Sequence, residues 1–427
     1  MRTHARAVWL WSAVLTAALV VTRPLAGGGV TVHEWGTFTS IAGLDGWSVN
    51  WAPLAGPQDL PCFVEEQKAT TPQGLTSIQI KGRDLLGLLK LLRPLAGTAA
   101  TAPPPAPAPK PQPAALPPPI LTGKIRMETP VLYFYSPAEV TLSVKVSFVQ
   151  GAMSEWYPTA TVSALDLRQP LATTTGTIEW PSVRVRPGAE VALPRTTGES
   201  HYYAARDVDA SPVQVGGQHE RFLFYRGLAD FQPPVAATLS SDGVVSISTV
   251  PAMPMVLFEN RQGQVGYRVV RSAATALERP ALTGSVDALR TELAAMLAAE
   301  GLYPREARAM VETWRDSWFE EGTRIFYLIP KAAIDARLPL DISPSPASVA
   351  RVFVGRLELI TPEMKDDVER ALMANDLDAL SRHGRFLDAS VAQIAERPWM
   401  ASHAAEVANA LRAVAAPHAT AEPATCQ

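Results

Sequence analysis

Residues 304–330, PREARAMVETWRDSWFEEGTRIFYLIP, hold the sharpest helix-to-strand change in the chain. Pro304 suits the first position of a helix, where its missing N–H is no loss. Ala307, Met310, Val311, Trp314 and Trp318 recur at helical spacing and predict one apolar face. Gly322 is a stop signal, and Arg324 to Pro330 reads as a strand. Glu312, Asp316 and Glu320 fall four apart on the other face, where stacked like charges destabilise a helix. Glu320 and Glu321 also sit at its negative end. A local rule broken in this way marks either a site or a tertiary partner. As a site, Glu312, Asp316 and Glu320 would bind calcium or act as acid and base with a further carboxylate. As partners, they would meet arginines, with Arg221, Arg226, Arg324 and Arg356 the nearest in character.

Working outward, residues 124–275 have the texture of short strands. In EVTLSVKVSF (139–148), Val140, Leu142, Val144, Val146 and Phe148 alternate with polar residues, as in a half-buried antiparallel strand. Segments 236–249 and 254–271 turn back at Ser-Asp-Gly and Arg-Gln-Gly, which are hairpin signals. Many short strands with regular turns predict an antiparallel β-sandwich. The VTVHEWGTFTS strand (30–40) can join its sheet. On the C-terminal side, Ser285 is placed to cap a helix closed by Gly301, and 349–360 reads as a strand. Thr361-Pro362-Glu363 is a helix start, with breaks expected near Asn375, Gly384 and Pro398. The fold class expected is therefore α+β: an N-terminal β-sandwich followed by a mostly helical C-terminal region (281–415) with a few strands, then a frayed tail (416–427). Between the first strand and the sandwich lie a short apolar helix (81–95, within an N-terminal unit of 29–96) and a proline-dense linker (97–123).

The chain has 427 residues, 47% hydrophobic and 19% charged, with net charge −3. That composition is globular and offers no basic field for nucleic acid or anionic membrane. Arg2 and Arg6 precede 15 uncharged, mostly apolar residues (Ala7–Val21) and then Ala26-Gly27-Gly28. This is the pattern of a secretory signal peptide over 1–28, and the run is short for a bilayer span. A periplasmic or extracellular setting follows, with no integral span after cleavage. Cys62 and Cys426, the only cysteines, either pair there or remain two unrelated thiols.

Four further groups carry candidate chemistry. Glu155-Trp156-Tyr157 reads as a loop in which Trp156 and Tyr157 stack on a sugar beside an acid, or else fill a sandwich edge. His33 and Glu34 point to opposite faces of a strand and cannot serve one ligand together. His201 and His219 converge on a metal with a carboxylate, as does His33 more remotely, or are surface polar residues. In RFLFYRG (221–227), Arg221 and Arg226 flank aromatic residues and need carboxylate partners or a ligand. No calcium loop, nucleophile elbow, phosphate loop or dinucleotide fingerprint is present. The cofactor is not defined by any motif.

At HEWGTFTS (33–40), METPVLYFYSP (127–137), FLFYRGL (222–228) and TWRDSWFEEG (313–322) the chain resembles a group of secreted bacterial proteins with no assigned activity. The resemblance implies a periplasmic or extracellular setting and nothing on mechanism. Two functions remain open. One is a non-catalytic binding or structural protein of the envelope, with an envelope protein or glycan as partner. The other is a carboxylate- or metal-dependent hydrolase of glycans or peptides. Their difference is geometric: catalytic acids line an open cleft, whereas structural acids lie against arginines.

Overall fold

In the computed structural model, the residues described are 29–51, 60–71, 74–77, 122–167, 169–197, 200–249, 251–271 and 275–419. The expected signal peptide (1–28), the expected 81–95 helix, nearly all of the proline-dense stretch 97–123 and Cys426 lie outside them. Cys62 is disulfide-bonded, and Cys426 is the only other cysteine of the chain.

Seven strands build the centre: β1 (Thr31–Ile41), β2 (Ile125–Tyr135), β3 (Gly151–Tyr157), β4 (Leu223–Ala229), β5 (Met255–Arg261), β6 (Gly322–Ile329) and β7 (Ser348–Leu359). Their order across the sheet is β3-β4-β2-β1-β7-β6-β5, within one sheet of 15 strands. All neighbours in this run are antiparallel except β1 and β7, which are parallel. Helices α1 (Val286–Ala299) and α2 (Pro304–Thr313) cover one face, sharing a core with Trp35, Tyr133, Phe224 and Phe326. On the other face, strands Val140–Val149 and Thr175–Val185 belong to the same sheet. Their inward residues share a core with Val32, Phe38 and Leu132, so the sheet bends over on itself without closing into a barrel. Helix α3 (Pro362–Ala374) opens a C-terminal helical bundle that runs to Ala419 and has its own core around Val368, Leu387 and Leu411.

The expected β-sandwich followed by a separate, mostly helical region is thus corrected. Strand outweighs helix, 40% to 27%, and one mixed sheet draws its strands from both halves of the chain. The cause is the pairing of β1 with β7, whose facing residues Thr31 and Ser348 are 317 positions apart. Both strands are buried on both faces, so neither shows the alternation that marks a half-exposed sheet.

The Pro304–Pro330 segment changes with it. Helix α2 stops at Thr313, and Trp314 and Trp318 lie in the turn region beyond it. They stack on each other with ring centroids 6.4 Å apart. Glu312, Asp316 and Glu320 therefore do not form a helical row, and the expected repulsion along one face does not arise. Other local signals hold. Ser285 accepts from Ala288 N–H at 3.4 Å, and Thr361 accepts from Met364 N–H at 3.1 Å. Asn375 ends α3 in the left-handed conformation, φ 51°. The 3-10 turn Gly384–Phe386 and Pro398 interrupt the helices where expected.

Gly355 of β7 lies directly opposite Tyr327 of β6, and a Cβ there would run into the Tyr327 ring. Both residues are in the middle of the sheet, where neither strand can retreat. Gly355→Ala is expected to cost about 1–3 kcal/mol through overpacking. Denaturant unfolding measures this, and an unchanged midpoint would mean that the ring turns aside freely.

Candidate functional site

On the helix-covered face, beyond the end of α2, a band of polar side chains crosses six adjacent strands. Glu155 comes from β3, Arg226 from β4, Arg126 and Glu128 from β2, and Thr37 and Thr39 from β1. Arg356 and Glu358 come from β7 and Arg324 from β6. Cross-strand register sets these residues side by side: Arg226 with Glu155, Thr39 with Arg126 and Arg356, Arg324 with Glu358. A bulge opposite Trp35 and Thr37 puts Thr129 at φ 47° and brings Glu128 to this face. Two more residues close the band: Glu320 from the turn after α2, and Arg385 from the first part of the bundle.

The contacts form one network. Thr39 donates to Glu128 at 2.5 Å, and Arg385 pairs with the other oxygen of Glu128. Arg126 donates to Glu155 at 2.8 Å and to Ser154 Oγ at 2.9 Å. Arg226 reaches Thr129 Oγ1 at 3.5 Å. Arg324 meets Glu358 at 2.9 Å with both side chains fully buried. Arg356 meets Glu320 at 2.7 Å and Glu358 at 3.2 Å. The guanidinium carbons of Arg356 and Arg385 lie 5.0 and 5.2 Å from the centroid of the Phe386 ring. Arg385 (17% exposed) and Glu320 (33%) bring this end of the network to the surface.

Burial raises the pKa of Glu128, but Arg385, Thr39, Arg356 and Arg126 outweigh it and hold the carboxyl below its ordinary value. Glu320 is lowered in the same way, burial being outweighed by Arg356, Arg385 and Arg324. Arg324 is lowered too: burial and repulsion from Arg356 exceed the pull of Glu358 and Glu320. The depressed carboxyls set the acid response. Each favours the folded state above its unfolded pKa, near 4.5, and that contribution is lost as pH falls through the lower folded value. Stability should therefore decline below about pH 4.5, and Glu128→Gln should flatten that decline. Urea midpoints at pH 6 and pH 3.5 test this; equal slopes in both proteins would remove Glu128 from the acid response.

The remaining candidates are placed as follows. Of the acid row, only Glu320 reaches the network. Glu312 pairs with Arg290 and, at 2.6 Å, with Arg315; Asp316 lies 3.4 Å from both Arg315 and His201. Glu155-Trp156-Tyr157 is part of β3 rather than a loop, because its residues pair with β4. Trp156 is buried and donates to Glu65 at 2.9 Å, and Tyr157 packs on Phe63 at 4.8 Å. Burial, with Glu220 adding, pushes the Tyr157 hydroxyl to about 12. Neither ring is open to a sugar. Arg221 donates to Ala210 O at 3.1 Å, away from Arg226. His33 and Glu34 do take opposite faces. His33 contacts Glu306 at 2.7 Å beside Tyr135 and Tyr303. Glu34 holds Arg351 at 2.5 Å and accepts from Tyr225. His219 lies in the short strand Gln218–Glu220. Among the described residues, no group of three His, Cys, Asp or Glu side chains could hold a metal ion, so His33, His201 and His219 do not converge as ligands.

Sequence reading named Glu155, Arg226 and Glu320 as candidates and Arg324 and Arg356 only as partners. It missed Thr37, Thr39, Arg126, Glu128, Glu358 and Arg385. A signal existed for three of them: Arg126 and Glu128, and Glu358 with the already named Arg356, are charges two apart inside otherwise apolar strands. Such pairs share a face and demand partners there. All four motifs quoted above contribute to this band. No helix among the described residues is long and apolar enough to cross a membrane. No family model, no curated protein and no solved structure matches this chain.

Proposed function

We propose that the protein is a secreted, non-catalytic binding protein of the periplasm or cell exterior, with its ligand site at the buried arginine–glutamate band. The observation that supports this is the pairing of every carboxylate in the band: Glu128 with Arg385, Glu155 with Arg126, Glu320 with Arg356, and Glu358 with Arg324. A general acid must hold a proton near working pH. Glu128 and Glu320 are pushed the opposite way and stay ionised. The acids that motivated a hydrolase thus act as counter-ions to guanidinium groups. A partner presented in that setting, a glycan or another envelope protein, would be recognised through the end of the band that Arg385 and Glu320 bring to the surface.

The test is a panel of glycoside, peptide and ester substrates run with purified full-length protein, with metal analysis alongside. No turnover above background is expected. Turnover abolished by Glu128→Gln or Glu155→Gln would replace this reading with the hydrolase.

A further inference from the structure

We infer that a second site, at the other end of the sheet from the band, binds an uncharged sugar residue of a glycan. It shares no residue with the arginine–glutamate network and does not rest on the reading of that network. Thr31 and Tyr135, a cross-strand pair of β1 and β2, line it. From Thr31 to Thr39 of the band is eight residues of β1, roughly 26 Å at about 3.3 Å per residue.

These strand ends and the loops 187–190 and 209–212 enclose a cavity of about 620 Å³, within the range of small-ligand sites. Its walls are fixed before anything binds. The Ser211 N–H donates to Phe134 O and the Arg186 N–H to Pro212 O, both at 2.8 Å. Pro137, Pro187 and Pro212 hold their own φ angles. A preformed cavity loses little affinity to the ordering of its loops.

The chemistry comes from what is left unpaired there. Arg221 is half-buried, and the one acceptor of its side chain is Ala210 O at 3.1 Å. Glu220 beside it is held by Arg206 at 2.6 Å and by Tyr202 at 3.0 Å. Among the described residues no carboxylate pairs with the Arg221 side chain. Glu190, in the same cavity, likewise has no cation among them, and the Ser211 hydroxyl has no hydrogen bond. Asp209 is already held by Arg305 at 2.5 Å.

A guanidinium fork and an open carboxylate that share a cavity without meeting call for a ligand that accepts from the first and donates to the second. A hydroxyl group does both. An anion would face Glu190 and Asp209, and a cation would face Arg221. A sugar ring presents several hydroxyls at once without net charge. Its C–H side suits the Tyr135 ring, which is held in place by its hydroxyl donating to Glu306 at 2.6 Å.

An array of neutral glucosides, galactosides, mannosides and N-acetylhexosaminides, probed with the purified full-length protein, tests the inference, with glucuronides and triglycine as charged arms. Titration calorimetry on the neutral glycan that responds then measures affinity. Saturable binding is expected, weakened about tenfold by Arg221→Gln and by Glu190→Gln, since each change removes a hydrogen bond to a charged group. Neither side chain takes part in an ion pair among the described residues, so both variants should fold, and circular dichroism checks this. Hydrogen exchange over 187–190 and 209–212 should slow when the glycan binds the wild type and not when it is added to Arg221→Gln. No binding of any neutral glycan by the folded wild type, or binding unchanged in both variants, would overturn the inference. A response confined to glucuronides or to triglycine would overturn it as well. Binding lost in Arg385→Gln but kept in Arg221→Gln would place the sugar at the band, overturning this site while leaving the binding-protein reading intact.

Discussion

Glu358→Ala should lower the stability of the protein by about 3–5 kcal/mol, among the largest losses expected of any single substitution in this chain. Glu358 is fully buried and accepts from two arginines, Arg324 at 3.1 Å and Arg356 at 3.2 Å. Arg356 keeps Glu320 after the change, but Arg324 loses the only carboxylate it pairs with among the described residues. Its remaining acceptors are the backbone carbonyls of Trp318 and Glu321, both at 2.8 Å, and of Ser317 at 3.5 Å, which solvate a guanidinium without neutralising it. The penalty is that of an unpaired buried charge, not of a lost contact. A control separates the two: Arg324→Met with Glu358→Leu removes the pair together and should recover most of the loss, since apolar groups of similar volume often replace a buried pair at little cost. Equal destabilisation in the single and double variants, measured by urea unfolding, would contradict this account.

Trp318→Ala should cost about 3–5 kcal/mol by a different route, the cavity left by a large buried ring. Trp318 is fully buried, stacks on Trp314 at 6.4 Å and tilts against Phe326 at 5.2 Å. The same residue turns the chain from α2 into β6. Its backbone N–H bonds to Trp314 O at 2.9 Å, and its carbonyl accepts from Arg324. Loss of the ring should therefore loosen the turn that delivers Glu320 to Arg356. Trp318→Phe, which keeps most of the apolar volume, should lose clearly less. If Ala and Phe unfold at the same denaturant concentration, packing of the indole is not what holds the turn.

The Trp314–Gly322 stretch shows how far local sequence carries. Its tryptophans have helical spacing, and the amphipathic pattern continues past Thr313 without a break. What ends α2 is tertiary: the Trp314 and Trp318 rings are needed against Phe326 and the sheet, and Arg324 draws the backbone carbonyls of this turn toward itself. The acid row dissolves for the same reason. Its members each found an arginine: Glu312 and Asp316 share Arg315, with Arg290 also on Glu312, and only Glu320 met Arg356, one of the arginines suspected in advance.

The sequence by itself determined what depends on neighbours along the chain. The caps at Ser285 and Thr361, the left-handed stop at Asn375, the glycine-containing hairpin turns and the alternation of Val140–Val149 all follow from one or two turns of backbone. So does the opposition of His33 and Glu34, which is a property of any strand. Tertiary structure alone decided which strands are neighbours. β1 and β7 are buried on both faces, so their residues carry no alternation from which a partner could be read, and their pairing joins positions 317 apart. The arginine–glutamate band depends wholly on that pairing, because each of its strands contributes only one or two charges. A charge in an apolar strand announces that a partner is needed. Only the register of six strands says which partner it is.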